Sequence, residues 1–250
     1  MQVLGIPVDV GLIAQWFEWL MPEEQPYLVP QSVARNLHVA DDRGRLTPEL
    51  RDSFSLYGIE DDQLVCWLTR AEAQGLPPDV RRSQRATHRW RRHDGTDTVR
   101  IVRSVENGRR PSRHTEVDQA VWDRIEQVLP CARRLVGTFP TRSGPNCFGT
   151  VMGAAGVGGA AEAWMQQAPF EEWLAAETRD GGSDDEPGTV LLWRGRDGLA
   201  QHAAVTLGGG WALHKPSQGW MSPIQILTVR DVKFASRCPG LYLHRRSLEH

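Results

Sequence analysis

No apolar run in this 250-residue chain approaches the roughly 18–20 residues that a membrane-spanning helix needs, so no membrane partner is expected. The first residues lack a cationic segment. Glu18, Glu23 and Glu24 interrupt the only early apolar stretch, so a signal peptide is not expected either. The four cysteines, Cys66, Cys131, Cys147 and Cys238, show no Cys-x-x-Cys spacing and no framework typical of a small secreted domain. Reduced thiols and a cytoplasmic location follow as the expectation. Neither a His-Glu-x-x-His motif nor paired Cys/His zinc spacing occurs, so no metal is expected. The glycine-rich stretch 153–159 follows a helical pattern rather than a strand and lacks a Gly-Lys-Ser/Thr ending, which argues against a phosphate loop. Nothing in the pattern calls for a cofactor.

What is present describes an ordinary soluble globular chain: 40% apolar, 24% charged, with ten tryptophans to build a core. The length suits one large domain or two small ones. A net charge of -2 hides an asymmetry. Residues 1–80 carry thirteen acidic side chains against five arginines, while 81–113 carry eleven arginines against Asp94, Asp97 and Glu106. The two segments pack on each other, or the basic one meets an anion. Without a recognised motif or interleaved aromatics beyond Trp90, a solvated or internally paired face is favoured and nucleic acid is not the expected partner.

Local signals outline the elements. Residues 11–20 read as a short helix halted by Pro22, and Thr47-Pro48-Glu49-Leu50 as a helix start. An apolar segment, 63–73, precedes Gly75 and Pro77-Pro78. Alternation over 98–105 reads as a strand, Asn107-Gly108 as a turn, and 111–116 as a linker. Val121, Ile125 and Val128 recur at helical spacing, giving an amphipathic helix over 117–129. A loop, 137–146, then runs into a helix from Cys147 to about Ala155, with a further helical run over 160–178 and an acidic loop over 179–188. Strands are expected at Thr189–Arg194, 202–207, 211–215, 224–234 (whole or split) and 241–244. Helices first and strands after make an α+β fold with a mainly antiparallel sheet. The expected division is an N-terminal module, 1–115, mixed and largely helical, a catalytic domain, 116–246, and a tag remnant, Ser247-Leu248-Glu249-His250.

Cys147 carries the most chemistry. It sits in Ser143-Gly144-Pro145-Asn146-Cys147-Phe148-Gly149, where turn residues run into a helix. A helix N-terminus favours a thiolate, and its free N–H groups can bind an oxyanion. His202 and His214 flank Gly208-Gly209-Gly210. If the glycines form a three-residue hairpin loop, Leu207 faces Trp211 and Ala204 faces His214. His202 and His214 then share a face as diagonal neighbours, about 7 Å apart between backbones. One imidazole can fix the tautomer of the other, as in Cys–His–polar triads. Cys66, within Leu64-Val65-Cys66-Trp67-Leu68, reads as core, and Cys131 and Cys238 as surface thiols. Asp184, Asp185 and Glu186 read as an acidic surface loop, and Trp211 and Trp220 as candidates to line a cleft beside His214.

Over about 117–235 the chain resembles the NlpC-type branch of the papain-like cysteine peptidases, known as bacterial cell-wall endopeptidases. The matching stretches are Asn146-Cys147-Phe148-Gly149, Gly188-Thr189-Val190-Leu191-Leu192-Trp193, His202-Ala203-Ala204-Val205-Thr206-Leu207-Gly208 and Gly210-Trp211-Ala212-Leu213-His214. The resemblance implies a papain-like domain with the Cys-bearing helix packed on the sheet. Cys147 would be the nucleophile, His202 the general base and acid, and His214 the orienting residue. Where the family has Asp before the cysteine and Ser after it, to hold a peptide's amino end, this chain has Asn146 and Phe148. These two, with Trp211 and Trp220, are the expected substrate-binding residues. The implied activity is a cysteine amidase or peptidase that forms an acyl-Cys147 intermediate from a small peptide or amide. The alternatives are an acyltransferase or amide-forming enzyme with the same triad, and a non-catalytic binding protein on the same scaffold.

Overall fold

The computed structural model describes residues 1–249; His250, expected as part of a tag, lies outside the described residues. The chain divides into two compact units, a smaller one, Val8–Asn107, and a larger one, Met1–Pro7 together with Gly108–His250. The segment 111–116, expected as the linker, is built into the larger unit. There the Ser112 N–H donates to the Leu4 carbonyl and the Arg113 N–H to the Ile226 carbonyl, each at 2.8 Å. Leu4 lies between strands β1 (Gln2–Val3) and β2 (Ile6–Pro7), an antiparallel pair.

The smaller unit contains helix α1 (Val10–Leu20), strand β3 (Gln25–Pro30), helices α2 (Gln31–Leu37) and α3 (Pro48–Phe54), strand β4 (Gln63–Leu68), and helices α4 (Arg70–Gly75), α5 (Pro78–Arg82) and α6 (Asp97–Glu106). Strands β3 and β4 pair antiparallel. Thr47 caps α3 with Pro48 at its first position, as expected. The apolar segment 63–73 is a strand followed by a helix, divided at Thr69, which forms a capping box with Glu72. The expected strand over 98–105 is instead part of α6. Ile101 and Val105 lie four residues apart, both fully buried, whereas Val99 is 48% exposed. The Asp97 carboxylate fixes the helix start by accepting from the Arg92 and His93 N–H groups and from Arg100. Several arginines of the basic segment are engaged within this unit. Arg85 donates to the Tyr57 carbonyl, Arg100 to that of Trp90, and Arg91 lies 4.6 Å over the Phe17 ring.

The larger unit continues with helices α7 (Gln119–Ile125), α8 (Ala132–Leu135), α9 (Cys147–Ala154) and α10 (Gln167–Glu177). Strands β5 (Thr178–Asp180), β6 (Thr189–Arg194), β7 (Ala200–Gly208), β8 (Trp211–His214) and β9 (Gln225–Thr228) follow, then helix α11 (Val229–Ala235) and strand β10 (Tyr242–Leu248). The sheet order is β5-β10-β6-β7-β8-β9, and every pairing is antiparallel. Ser247 and Leu248, expected as tag, continue β10, and Leu248 is buried. The expected strand over 224–234 is half strand and half helix. The Thr228 side chain accepts from the Asp231 N–H, and Val229 and Val232 are buried three residues apart, a capped helix start rather than a continuing strand.

Both faces of this sheet are covered. Val190, Leu192, Ala203, Val205, Leu207, Leu213 and Ile226 pack with Cys147, Phe148, Val151 and Met152 of α9 and with residues of α7 and α10. Leu191, Trp193, Ala204, Ala212 and Leu227 form a second cluster with Val229 and Val232 of α11. Helix α9 reaches its seat because two of its positions lack a side chain. A Cβ on Gly149 would lie 2.2 Å from the Ala160 carbonyl oxygen, and one on Gly153 2.7 Å from the Ala161 Cβ.

The β7–β8 hairpin differs in detail from the expected loop. Gly208 pairs with Trp211, so the loop is Gly209-Gly210, both at positive φ, and the register shifts between Thr206 and Gly208. Beyond the bulge the register is the expected one, Thr206 opposite Ala212 and Val205 opposite Leu213. His202 and His214 therefore share a face.

Candidate functional site in the larger unit

Cys147 opens α9, as expected, but its surroundings are those of a packed core. Its N-cap, Asn146, accepts from the Gly149 N–H at 3.0 Å and donates to the Met165 carbonyl at 2.7 Å. Both ends of that amide are thus spent on holding the helix start, and Asn146 is a capping residue rather than a substrate contact. Phe148, the other expected contact, stacks on Phe170 with ring centroids 4.3 Å apart. Cys147 itself is 8% exposed. Burial pushes its thiol up to about 11, against the opposing effect of the Ala203, Phe148 and Cys147 N–H groups and of Lys215. Lys215 is buried and donates to the Ser217 and Ser222 carbonyls at 2.8 and 2.6 Å.

The two histidines are together, and Cys147 is not with them. Their Nε2 atoms lie 3.0 Å apart, with the rings edge-on at 88°. His202 pairs in register with Trp193 and its ring lies 5.3 Å from that indole. Trp193 belongs to the face covered by α11, whereas Cys147 packs with Ala203, Val205 and Leu207 on the face covered by α9. Side chains alternate along a strand, so His202 and Ala203 point to opposite faces. The sheet separates the thiol from the imidazoles, and the expected Cys147–His202–His214 triad is not assembled. A signal for this lies in β7 itself. Its larger apolar residues, Val205 and Leu207, have odd numbers, and an apolar helix packs on the larger apolar surface.

His202 and His214 instead floor a cleft of about 570 Å³ on the α11 face, lined also by Arg109, Arg110, Gln225, Leu227, Phe234 and Ser236. Gln225 is directly opposite His214 in the β8–β9 ladder. His214 and Gln225 are 2% and 3% exposed, and His214 Nδ1 and Gln225 Oε1 are buried without a hydrogen-bond partner among the described residues. Burial moves His202 down to about 4. It holds His214 well below the usual imidazole range, with His202 and Lys215 acting in the same direction. Both rings are neutral at pH 7.

The two tryptophans are elsewhere. Trp220 is fully buried, its backbone N–H donating to Ser143 Oγ at 3.2 Å. Trp211 lies under the Arg113 guanidinium at 4.8 Å and lines a separate depression with Arg110, Lys233 and Asp184. Asp184 is held by Lys233 and Arg245 at 2.7 and 2.8 Å, so that loop is pinned by ion pairs. Sequence reasoning missed Gln225, Arg109, Arg110 and Phe234. The arginines were visible as part of a basic run, but nothing local announced that Gln225 would face His214. Among the described residues, no helix is long and apolar enough to cross a membrane.

Comparison of the chain with protein-family models, with curated proteins and with solved structures finds no match.

Proposed function

We propose that the larger unit is a small-molecule binding domain whose site is the cleft floored by His202 and His214, the non-catalytic alternative on a helix-and-sheet scaffold of papain-like character. The observation that carries this reading is the sheet lying between Cys147 and His202. A cysteine hydrolase needs thiol and base within hydrogen-bond reach. A buried thiol raised to about 11 and a histidine lowered to about 4 are each shifted away from that task. The cleft has the size and the mixed polar and apolar lining of a small-ligand site.

A second reading keeps acyl transfer at Cys147, in a peptidase, amidase or acyltransferase acting on a small peptide or amide. The backbone N–H groups around its sulfur favour it, since they could also hold an oxyanion. It requires a base other than His202.

Fragment screening by ligand-observed NMR separates the two, using wild type, C147A and H202F. Binding to the cleft predicts hits that survive in C147A and vanish in H202F. Trapping an acyl group on Cys147 from an ester substrate, with turnover lost in C147A, would overturn the binding reading.

A further inference from the structure

We infer that the cleft selects a small carboxylate with an apolar body, bound by an N–H of His202 together with Arg109 and Arg110. This rests on the cleft being the binding site. The argument starts from the proton shared by the two rings. With both imidazoles neutral, one Nε2–H donates across the 3.0 Å contact and the other Nε2 accepts. If His202 donates, His214 is the Nδ1–H tautomer, with that N–H sealed and without an acceptor among the described residues. If His214 donates, its sealed Nδ1 is a bare lone pair. Orphaned buried N–H groups are the rarer of the two. His214 is therefore the donor, and His202 keeps its hydrogen on Nδ1.

Among the described residues that nitrogen makes no hydrogen bond, and half-buried His202 lines the cleft, whereas His214 Nδ1 and Gln225 Oε1 are sealed. The cleft wall thus offers a donor and wants an acceptor. Its charged lining points the same way: Arg109, Arg110 and Arg237, with no carboxylate among the described lining residues, and Arg110 spends one of its amino groups on Asp231 outside the lining. The two bare acceptors that would suit an ammonium group lie below the floor, out of a ligand's reach. Pro216, Pro223, Leu227 and Phe234 supply apolar surface for the body of the ligand. A guanidinium pairs with carboxylate and phosphate alike, so the preference over inorganic phosphate comes from the apolar wall, which only an anion with an apolar body can use.

The test uses the full chain with 15N-labelled histidine, observing ring nitrogens while benzoate, inorganic phosphate or benzylamine is added. The expected result is an Nδ1–H tautomer at His202 and an Nε2–H tautomer at His214. Benzoate should shift the His202 signals saturably, with phosphate at least fivefold weaker and benzylamine without effect. H202F and R110Q should each weaken benzoate at least fivefold. An Nε2–H tautomer at His202, or benzylamine binding as well as benzoate, overturns the carboxylate assignment while leaving the cleft as a site. Absence of any benzoate response in wild type overturns it too. Retention of fragment hits in H202F, by contrast, would remove the cleft reading beneath it.

Discussion

The chemistry assigned to Cys147 predicts a rate that can be measured site by site. Alkylation by iodoacetamide proceeds through the thiolate. Raising a thiol from its ordinary value of 9.0 to about 11 cuts the thiolate fraction at neutral pH roughly a hundredfold. Restricted access multiplies that factor, since Cys147 is only 8% exposed while Cys238 is open to solvent. A timed pulse of iodoacetamide at pH 7, followed by digestion and mass spectrometry, should find Cys238 labelled at least ~100-fold faster than Cys147. Cys66, fully buried and also raised to about 11, should label as slowly as Cys147. The Cys147 rate should climb about tenfold per pH unit up to pH 10 without a plateau. In denaturant all four rates should converge. Labelling of Cys147 as fast as Cys238 at pH 7, or a plateau below pH 8, would refute the buried-thiol argument and return the thiol to the list of nucleophiles.

Three further outcomes follow from packing and ionisation. Gly149→Ala places a Cβ against the Ala160 carbonyl oxygen, and should destabilise the larger unit by about 1–3 kcal/mol in urea unfolding despite its gain in helix propensity; an unchanged midpoint would contradict the close approach. His202 is neutral when folded and protonates below about 6.5 when unfolded, so the unfolded state takes up more protons on acidification. Stability should therefore fall as pH drops from about 6.5 to about 4, by up to about 3 kcal/mol for this group, and equal urea midpoints at pH 7.5 and pH 5 would contradict its burial. Arg194 donates to both oxygens of Glu171, which also accepts the Ala200 N–H; Arg194→Ala should cost about 1–3 kcal/mol, with a double-mutant cycle against Glu171→Ala reporting the coupling.

Helix and strand ends were legible wherever a side chain acts on its own neighbourhood. Thr47-Pro48 marks α3, Asn146 marks α9, and β6 runs over the expected residues because Gly188 and Gly195 bound a continuous apolar run. The failures share a cause. Over 98–105 and 224–234, a few alternating residues fit a strand, yet pairs such as Ile101 and Val105 fit a helix equally well, and short segments do not separate the two periods. At α6 the deciding group was the Asp97 carboxylate, which accepts the Arg92 and His93 N–H groups only once the chain has folded; at α11 it was the Thr228 hydroxyl, which accepts the Asp231 N–H. Misreading α11 as strand had a larger consequence. It hid the cover of the second face of the sheet, the face that carries the histidines, while the expected triad itself came from hairpin parity and from the family resemblance.

Parity along a hairpin says that His202 and His214 share a face; it does not say which face. That choice belongs to the packing of α9. Phe148, Val151 and Met152 present an apolar surface, and β7 offers it either Ala203, Val205 and Leu207 or Ala204 and Thr206. The first set buries more apolar area, and Thr206 already spends its hydroxyl on the Thr189 N–H and the Glu186 carbonyl. To bring His202 beside Cys147, β7 would have to turn over, since a slip of one residue exchanges the faces of the whole strand. Val205 and Leu207 would leave a void beneath α9 and crowd Val229 and Val232 beneath α11. Losing two such side chains from a fitted core costs on the order of 3–6 kcal/mol, comparable to the entire stability of a small domain. A thiol–imidazole pair is therefore not one rotamer change away from this fold, and His202 faces the cleft on the α11 side instead.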